Sequence, residues 1–302
     1  MKKNDIIVAT AVAAAISFTA CAGSASGNTG TNADTTACVH ATCNDTEPSQ
    51  APRIETDSVH WADTLRMGNC LAKAEVAGQY PVAGITPLVD SVRAWLGDQL
   101  SRSVQNSSDR MFKPSAADLA SGSRLAAACG KAMLESARSD FKDFVKEDFS
   151  IKYEFSNSFG PSYRTDKLLT YYFNSYVYLG GAHGGSLGSG QSFDANTGQM
   201  LTAGNIFLPD KKAELTNLVR EALWQQYFKE DCEEGATLSD ILLINPAKLE
   251  LPATPPLFSD KGLIFIYQQY EIAPYAYGMP ACVLPYSVVK PLMNREAALL
   301  TD

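Results

Sequence analysis

Residues 168–179 have the sequence LLTYYFNSYVYL, in which two kinds of side chain alternate. Successive side chains of a strand point to opposite faces, so this alternation predicts a strand with two different faces. One face carries Leu169, Tyr171, Phe173, Ser175, Val177 and Leu179. The other face carries Leu168, Thr170, Tyr172, Asn174, Tyr176 and Tyr178. The second face is an aromatic row with hydroxyl groups, which indicates a surface that is amphipathic rather than purely apolar.

The sequence on both sides of this strand predicts an α+β domain over residues 149–302. Further strand-like runs lie at 151–155, 191–193, 199–201, 263–267 and 282–284. Asn196 and Gly198 suit a tight hairpin turn between two of these runs. An apolar stripe predicts a helix from about 210 to 228. Hairpins before and after a helix predict an antiparallel sheet with helices packed on one face.

Residues 53–148 predict a smaller α+β domain that precedes this one. Two strand-like runs, 59–61 and 70–76, are followed by an apolar stripe with helical spacing. That stripe consists of Ile85, Leu88, Val89, Val92, Trp95, Leu96 and Leu100. Thr86 is the predicted N-cap of this helix, and Pro87 suits its first helical position. A second helix is predicted from about 116 to 144, with Gly122 and Gly130 as the two candidate break points.

The first 52 residues predict export and anchoring. Residues 1–20 have a positive start and a short apolar run, as in a lipoprotein signal peptide, and Cys21 follows Ala20 where lipidation would occur. An ordinary signal peptide with an incidental cysteine is the alternative. Residues 21–52 are small and polar, which predicts a disordered tether. We therefore expect a lipid anchor on a membrane of the bacterial cell envelope, with the protein extracytoplasmic on the outer membrane or the cell surface.

Charge and cysteine content restrict the classes of partner. The formal net charge is −8, and it becomes −9 when Lys2, Lys3 and Asp5 leave with residues 1–20. This acidic balance argues against a nucleic-acid partner. Six cysteines remain besides Cys21, and their separation along the chain predicts the disulfides Cys38–Cys43, Cys70–Cys129 and Cys232–Cys282. No C-x-x-C spacing occurs, so we expect no metal site and no cofactor.

The loop after the aromatic strand carries a single functional side chain, His183, among the glycines of residues 180–185. A catalytic histidine would need a partner such as Ser186, Asp194 or a metal ion, and the spacing implies none of these. The motifs G-x-S-x-G, P-loop and H-E-x-x-H are absent. The alternative is a histidine that holds a strand-to-loop turn by hydrogen bonds.

A second segment with candidate binding residues is 267–278, in which four tyrosines and Glu271 surround a turn bracketed by Pro274 and Gly278. Tyrosine combines a rigid apolar ring with a hydroxyl, which suits sugar stacking or a protein interface. The alternative is a tyrosine-rich corner of the core, because tyrosine is commonly half-buried.

These two segments, 176–183 and 269–278, together with the turn 194–198, resemble the extracytoplasmic C-terminal domain shared by RsiV-type anti-sigma factors and PdaC-type polysaccharide deacetylases. The resemblance covers about residues 150–290, and residues 53–145 correspond to the family's smaller companion domain. It implies an extracytoplasmic α+β module. Such modules bind lysozyme in RsiV-like proteins, whereas in PdaC-like proteins the chemistry lies in a separate deacetylase domain. That catalytic domain and the sigma-binding and transmembrane segments have no counterpart here, so sigma-factor control is not carried over.

We therefore predict a lipid-anchored binding module for a cell-envelope ligand, either a lysozyme-like protein or a glycan such as peptidoglycan. The predicted ligand-binding residues are Tyr172, Tyr176, Tyr178, Gly181, His183, Glu271, Tyr275 and Tyr277. A glycan hydrolase or deacetylase that uses His183 with Glu271 or Asp194 is the alternative. A structural envelope lipoprotein without a soluble ligand is the third hypothesis.

Overall fold

A computed structural model describes residues 54–108 and 111–302, and its main element is a six-stranded sheet in the order β1-β2-β3-β4-β5-β6. The strands are β1 (Glu55–Met67), β2 (Cys70–Ala83), β3 (Lys152–Arg164), β4 (Leu168–Tyr178), β5 (Gly185–Asp194) and β6 (Met200–Leu201). The α+β class is confirmed, and β4 matches the alternating segment that predicted it.

Three helices follow β2: α1 (Thr86–Asn106), α2 (Ala116–Leu119) and α3 (Gly122–Lys146). The apolar stripe of α1 and the buried residues of α3 form one hydrophobic core with one face of the sheet. On β4 that face is Leu169, Tyr171 and Phe173, with Val177 at its margin. Helices therefore pack on one face of the sheet, but they are α1 and α3 of the preceding region rather than the helix predicted at about 210–228.

The pairing of β2 with β3 is parallel, whereas every other neighbouring pair in the sheet is antiparallel. Antiparallel strands can be joined by a short hairpin, but parallel strands need a long crossover connection. Here α1 to α3 form that crossover, so strands from both predicted domains lie in one sheet. The predicted boundary at residues 148 and 149 falls between α3 and β3.

Residues 203–302 form a second layer with its own core. Its elements are α4 (Ala203–Ile206), a 3-10 turn (Pro209–Lys211), α5 (Lys212–Leu223), a π-helical turn (Trp224–Phe228), a 3-10 turn (Lys229–Asp231), α6 (Leu238–Ile241), a 3-10 turn (Pro246–Lys248), β7 (Leu257–Phe258), β8 (Leu263–Ile266), a 3-10 turn (Tyr275–Tyr277), β9 (Ala281–Leu284), α7 (Tyr286–Val289), a 3-10 turn (Lys290–Leu292) and α8 (Arg295–Leu299). The strands β7, β8 and β9 form a small antiparallel sheet.

The second layer packs on the sheet face opposite the helices, at the β4–β5 end. Thr170 Oγ1 donates to the carbonyl of Phe258, and the amide of Phe258 donates to Ser192 Oγ. At Gly190 an added Cβ would lie 2.6 Å from the side chain of Leu257, so the glycine permits this close approach. Consequently the same face remains open over β1, β2 and β3.

The helix starts differ from prediction in detail. Ile85 is the N-cap of α1, and Thr86 is already helical, because no side chain caps this end. The predicted second helix breaks before Gly122, where Ser121 caps α3 by accepting a hydrogen bond from the Arg124 amide. Gly130 stays inside α3, where the Trp61 ring packs closely against it.

The predicted disulfides Cys70–Cys129 and Cys232–Cys282 are wrong, since Cys70, Cys129 and Cys282 form no disulfide. Cys129 lies beside Asn157, which pairs with Val76, and Val76 is six residues along β2 from Cys70. Six strand residues span about 20 Å, whereas bonded cysteines have Cα atoms about 4.4–6.8 Å apart. Chain separation alone does not reveal this offset.

The second pair fails for a similar reason. The side chain of Cys282 contacts the carbonyl oxygen of Val219 in α5. Cys232 is 13 residues after Val219 in the chain. That separation is about 20 Å if the intervening turns rise as an α-helix does. The signal peptide, the tether, Cys21 and the pair Cys38–Cys43 lie outside the described residues. Among the helices of residues 54–108 and 111–302, none is both long and apolar enough to cross a membrane.

We expect Cys129 and Cys282 to resist alkylation in the native protein. Burial raises the pKa of each thiol to about 12, so very little reactive thiolate exists at pH 8. Mass-spectrometric mapping after iodoacetamide treatment should find both residues unmodified in buffer and modified in urea. Native alkylation as fast as that in urea would contradict this burial.

Candidate binding site at the glycine-rich loop

The two candidate segments meet where the imidazole of His183 stacks on the ring of Tyr275. The ring centroids are 3.9 Å apart, and the planes are inclined by 21°. The loop reaches this position because Gly180 and Gly181 have φ values of +83° and +94°, which glycine adopts at little cost. The side chain of His183 is exposed.

The carbonyl oxygen of Gly184 holds both rings of this stack by hydrogen bonds. Tyr275 Oη donates to it at 3.0 Å, and His183 Nδ1 lies 3.0 Å from the same oxygen. A carbonyl only accepts hydrogen bonds, so Nδ1 carries the proton and Nε2 is the acceptor nitrogen of the neutral ring. The histidine is therefore both a turn-holding residue and an exposed ring.

Two more tyrosines extend the stack. Tyr270 lies with its ring 5.8 Å from that of Tyr275, has a positive φ of 64° and is 55% exposed. Tyr176 covers Gly184 so closely that an added Cβ there would lie 2.5 Å from its ring, and Tyr176 is 38% exposed. We call Tyr176, His183, Tyr270 and Tyr275 the aromatic ridge.

Two glutamine side chains hold the segment 267–278 against the outer edge of β5. Gln268 Oε1 accepts from the amide of Gly188 at 3.1 Å, and its Nε2 donates to the Gly188 carbonyl at 2.6 Å. Gln269 Oε1 accepts from the amide of Ser186 at 2.8 Å. The side chains thus replace a neighbouring strand and place Tyr270 and Tyr275 beside the glycine-rich loop.

Of the eight predicted ligand-binding residues, five lie at or beside the ridge, including Gly181 in the loop, and three do not. Tyr176, His183 and Tyr275 belong to it, and Tyr178 flanks it by donating to the Gly181 carbonyl at 3.1 Å. Tyr172 instead lies over Gly160, where burial raises its pKa. Tyr277 packs edge-on against Phe228.

The carboxylate of Glu271 stabilises the backbone of its own segment, 267–278, and does not face the ridge. Its two oxygens accept hydrogen bonds from the amides of Gln268 and Ala253, at 2.7 and 3.0 Å. Asp194 is at the far end of β5 from the glycine-rich loop, nine residues from Gly185, which corresponds to about 30 Å. Neither carboxylate is thus placed to act with His183.

Sequence reasoning missed Tyr270 as a site residue and missed a groove on the open sheet face. The groove has a volume of about 570 Å³, and its lining includes Ala62, Asp63, Thr64, Lys73, Glu75, Glu154, Ser156 and Tyr176. The alternation of β2 signals that Lys73 and Glu75 share a face. Only the register with β1 and β3 shows which side chains join them there.

Metal chemistry has no obvious donor set in this region. Within residues 54–108 and 111–302, no three His, Cys, Asp or Glu side chains form a group that could hold a metal ion. What the site offers is exposed rings, hydroxyls, two groove carboxylates and one lysine ammonium.

Two family models match the chain in succession. Residues 100–186 match the family described as Deacetylase PdaC, and residues 204–287 match the family described as Protein of unknown function (DUF3298). The stacked pair joins the two matched regions, since His183 lies in the first and Tyr275 in the second. No curated protein matches the sequence.

Solved structures of two DUF3298 family members share the fold. One, from Bacteroides fragilis, is 19% identical with a TM-score of 0.66 and covers 83% of this chain and 97% of its own. The other, from Pseudomonas aeruginosa, is 14% identical with a TM-score of 0.53 and covers 82% and 97%. The chain therefore combines a PdaC-like region at residues 100–186 with a DUF3298-like region at residues 204–287.

Proposed function

We propose that this protein is an extracytoplasmic, lipid-anchored module that binds a glycan of the bacterial cell envelope through the aromatic ridge. The observation that carries the proposal is the stack of the exposed His183 ring on the half-buried ring of Tyr275, which is continued by the exposed Tyr270. The resemblance to modules of envelope proteins, including polysaccharide deacetylases, supports an envelope ligand.

The ridge has the chemistry that a sugar requires. The exposed rings of Tyr176 and Tyr270 offer apolar surface for the C–H side of a pyranose, and tyrosine hydroxyls suit its polar rim. The rings are also held in place before a ligand arrives: Tyr275 by the Gly184 carbonyl and Tyr176 by packing on Gly184. Such pre-organisation reduces the conformational entropy lost on binding.

The geometry favours binding over the catalytic alternative. A general acid or base must lie within hydrogen-bond reach of its partner or of the substrate. Both carboxylate oxygens of Glu271 already accept hydrogen bonds from backbone amides. Asp194 lies about 30 Å along β5 from the glycine-rich loop. The geometry around His183 thus does not support the hydrolase or deacetylase hypothesis.

The test is retention on purified, insoluble peptidoglycan. We expect the double substitution Tyr176→Ala and Tyr275→Ala to weaken binding about tenfold or more, because aromatic anchors dominate such surfaces. The matched control truncates two exposed apolar side chains elsewhere, Met111→Ala and Leu299→Ala, which are 80% and 51% exposed, and should bind as the parent does.

Circular dichroism of both variants should match the parent. Parent protein that is not retained by peptidoglycan would overturn the proposal, and so would equal retention of the ridge variant. A basic lysozyme is the second ligand in the same assay. If the parent binds lysozyme but no glycan, and the ridge variant loses lysozyme, the surface binds a protein instead.

A further inference from the structure

We propose that the groove on the open face of β1 to β4 is the continuation of the ridge, and that the ligand is a linear, uncharged oligosaccharide long enough to occupy both. This inference rests on the proposed function and adds the length and charge of the ligand. It assigns roles to Lys73, Glu75 and Glu154.

The strand register forms the groove from two rows of side chains. One row runs Tyr176, Ser156, Glu75, Ala62, and the next runs Tyr178, Glu154, Lys73, Thr64. Three strand spacings separate the ends of each row, which is about 14 Å. An extended chain lying across the strands can therefore follow the rows from β4 to β1.

The ridge and the groove are continuous because they share Tyr176. Its ring packs on Gly184 beneath the stack, and the same residue lines the groove. The side chains of Ala62 and Ser156 are small, so they leave space in the groove for a ligand. A glycan that contacts the exposed rings of the ridge is thereby directed onto the row that leads to Glu75.

The groove offers hydrogen-bond partners suited to hydroxyl groups. Glu75 and Glu154 supply carboxylate acceptors, and Lys73 between them supplies an ammonium donor, all exposed. Hydrogen bonds to charged groups are about twice as strong as neutral ones. His60 Nε2 lies 3.0 Å from Glu75 Oε1 and so orients that carboxylate within the groove.

Charge restricts the class of glycan. Within the groove, the side chains of Glu75 and Glu154 accompany that of Lys73, so carboxylates outnumber the ammonium group. The whole chain is acidic as well, with a net charge of −8. Like charges brought together oppose association, so a glycan rich in carboxylates or phosphates is disfavoured relative to an uncharged one.

Calorimetric titration with chitin oligosaccharides, from the disaccharide to the hexasaccharide, tests the inference. Parent affinity should rise with chain length until the ligand reaches Glu75 and then level off. In the double variant Glu75→Ala and Glu154→Ala, short ligands should bind as to the parent, whereas the longest should bind about tenfold more weakly. The matched control is Glu135→Ala with Glu221→Ala, two exposed carboxylates away from the groove.

The outcomes separate the two proposals. If short ligands bind and the ridge variant loses them, but affinity does not depend on length or on Glu75 and Glu154, the groove inference is wrong and the proposed function stands. If no oligosaccharide binds the parent, the groove inference fails, and retention on peptidoglycan decides the proposed function separately. Oligogalacturonate that binds as tightly as chitin oligosaccharide of equal length would overturn the charge argument.

Discussion

Replacing Gly78 with valine is expected to lower the free energy of unfolding by about 3 kcal/mol, a cost at the upper end of the range for overpacking. A Cβ at Gly78 would lie 2.3 Å from the backbone oxygen of Phe159 and 2.6 Å from its ring. A carbonyl oxygen in a paired strand does not move independently, so relief requires β2 and β3 to separate.

The effect should involve the whole sheet, because β2 and β3 are its single parallel pair and join the parts of the chain before and after the crossover. Urea unfolding followed by tryptophan fluorescence and by far-ultraviolet circular dichroism measures it. The control is Ala77→Val, one residue away on the other, half-exposed face of β2. It should stay within about 0.5 kcal/mol of the parent, since valine suits a strand. Equal losses in both variants would contradict the close approach of the strands.

The same contact shows how far sequence could predict this fold. The alternation of residues 168–179 correctly predicts β4, its buried face and the α+β class. The partner of Gly78, however, is Phe159, which is 81 residues later, and no local pattern encodes a parallel pairing across three helices. Periodicity reports which face of a strand is apolar, but the neighbouring strand is determined by the packing of the whole chain.

The candidate site was predictable to a similar extent. Glycines around His183 and tyrosines around Tyr275 mark two unusual segments, and the structure places these two rings in contact. The glutamines that bring these rings together have no comparable signal in the sequence. The role of Gln268 becomes visible only in the structure, where its amide lies opposite the edge of β5. The binding roles of the ridge residues remain predictions.

Glutamine amides close strand edges at two places in the structure. Gln226, in the π-helical turn, accepts from the amide of Val283 in β9 and donates to its carbonyl, at 2.9 and 3.0 Å. Gln268 makes the equivalent pair of bonds to Gly188 in β5. An exposed strand edge invites pairing with another chain, so these amides satisfy backbone groups that would otherwise be available.

Gln268→Glu is expected to lower the free energy of unfolding by about 2 kcal/mol at neutral pH, as removal of one partner from a half-buried polar pair does. The substitution keeps the shape of the side chain. It replaces the Nε2 group, which donates to the Gly188 carbonyl and to Thr254 Oγ1, with a charged oxygen that faces the carbonyl. Retention on peptidoglycan should also fall, because the segment that carries Tyr275 is no longer fixed to β5.

Gln269→Glu is the matched control, since Gln269 uses its oxygen alone, as acceptor for the Ser186 amide, and a carboxylate makes that bond equally well. Thermal unfolding between pH 4 and pH 8 distinguishes the two variants. The carbonyl raises the folded-state pKa of the carboxyl introduced by Gln268→Glu, so the destabilisation grows as pH rises through that pKa and shrinks as the group is protonated at lower pH. Gln269→Glu should show no such penalty. Equal destabilisation of both variants at every pH would mean that the amide of Gln268 does not close the β5 edge.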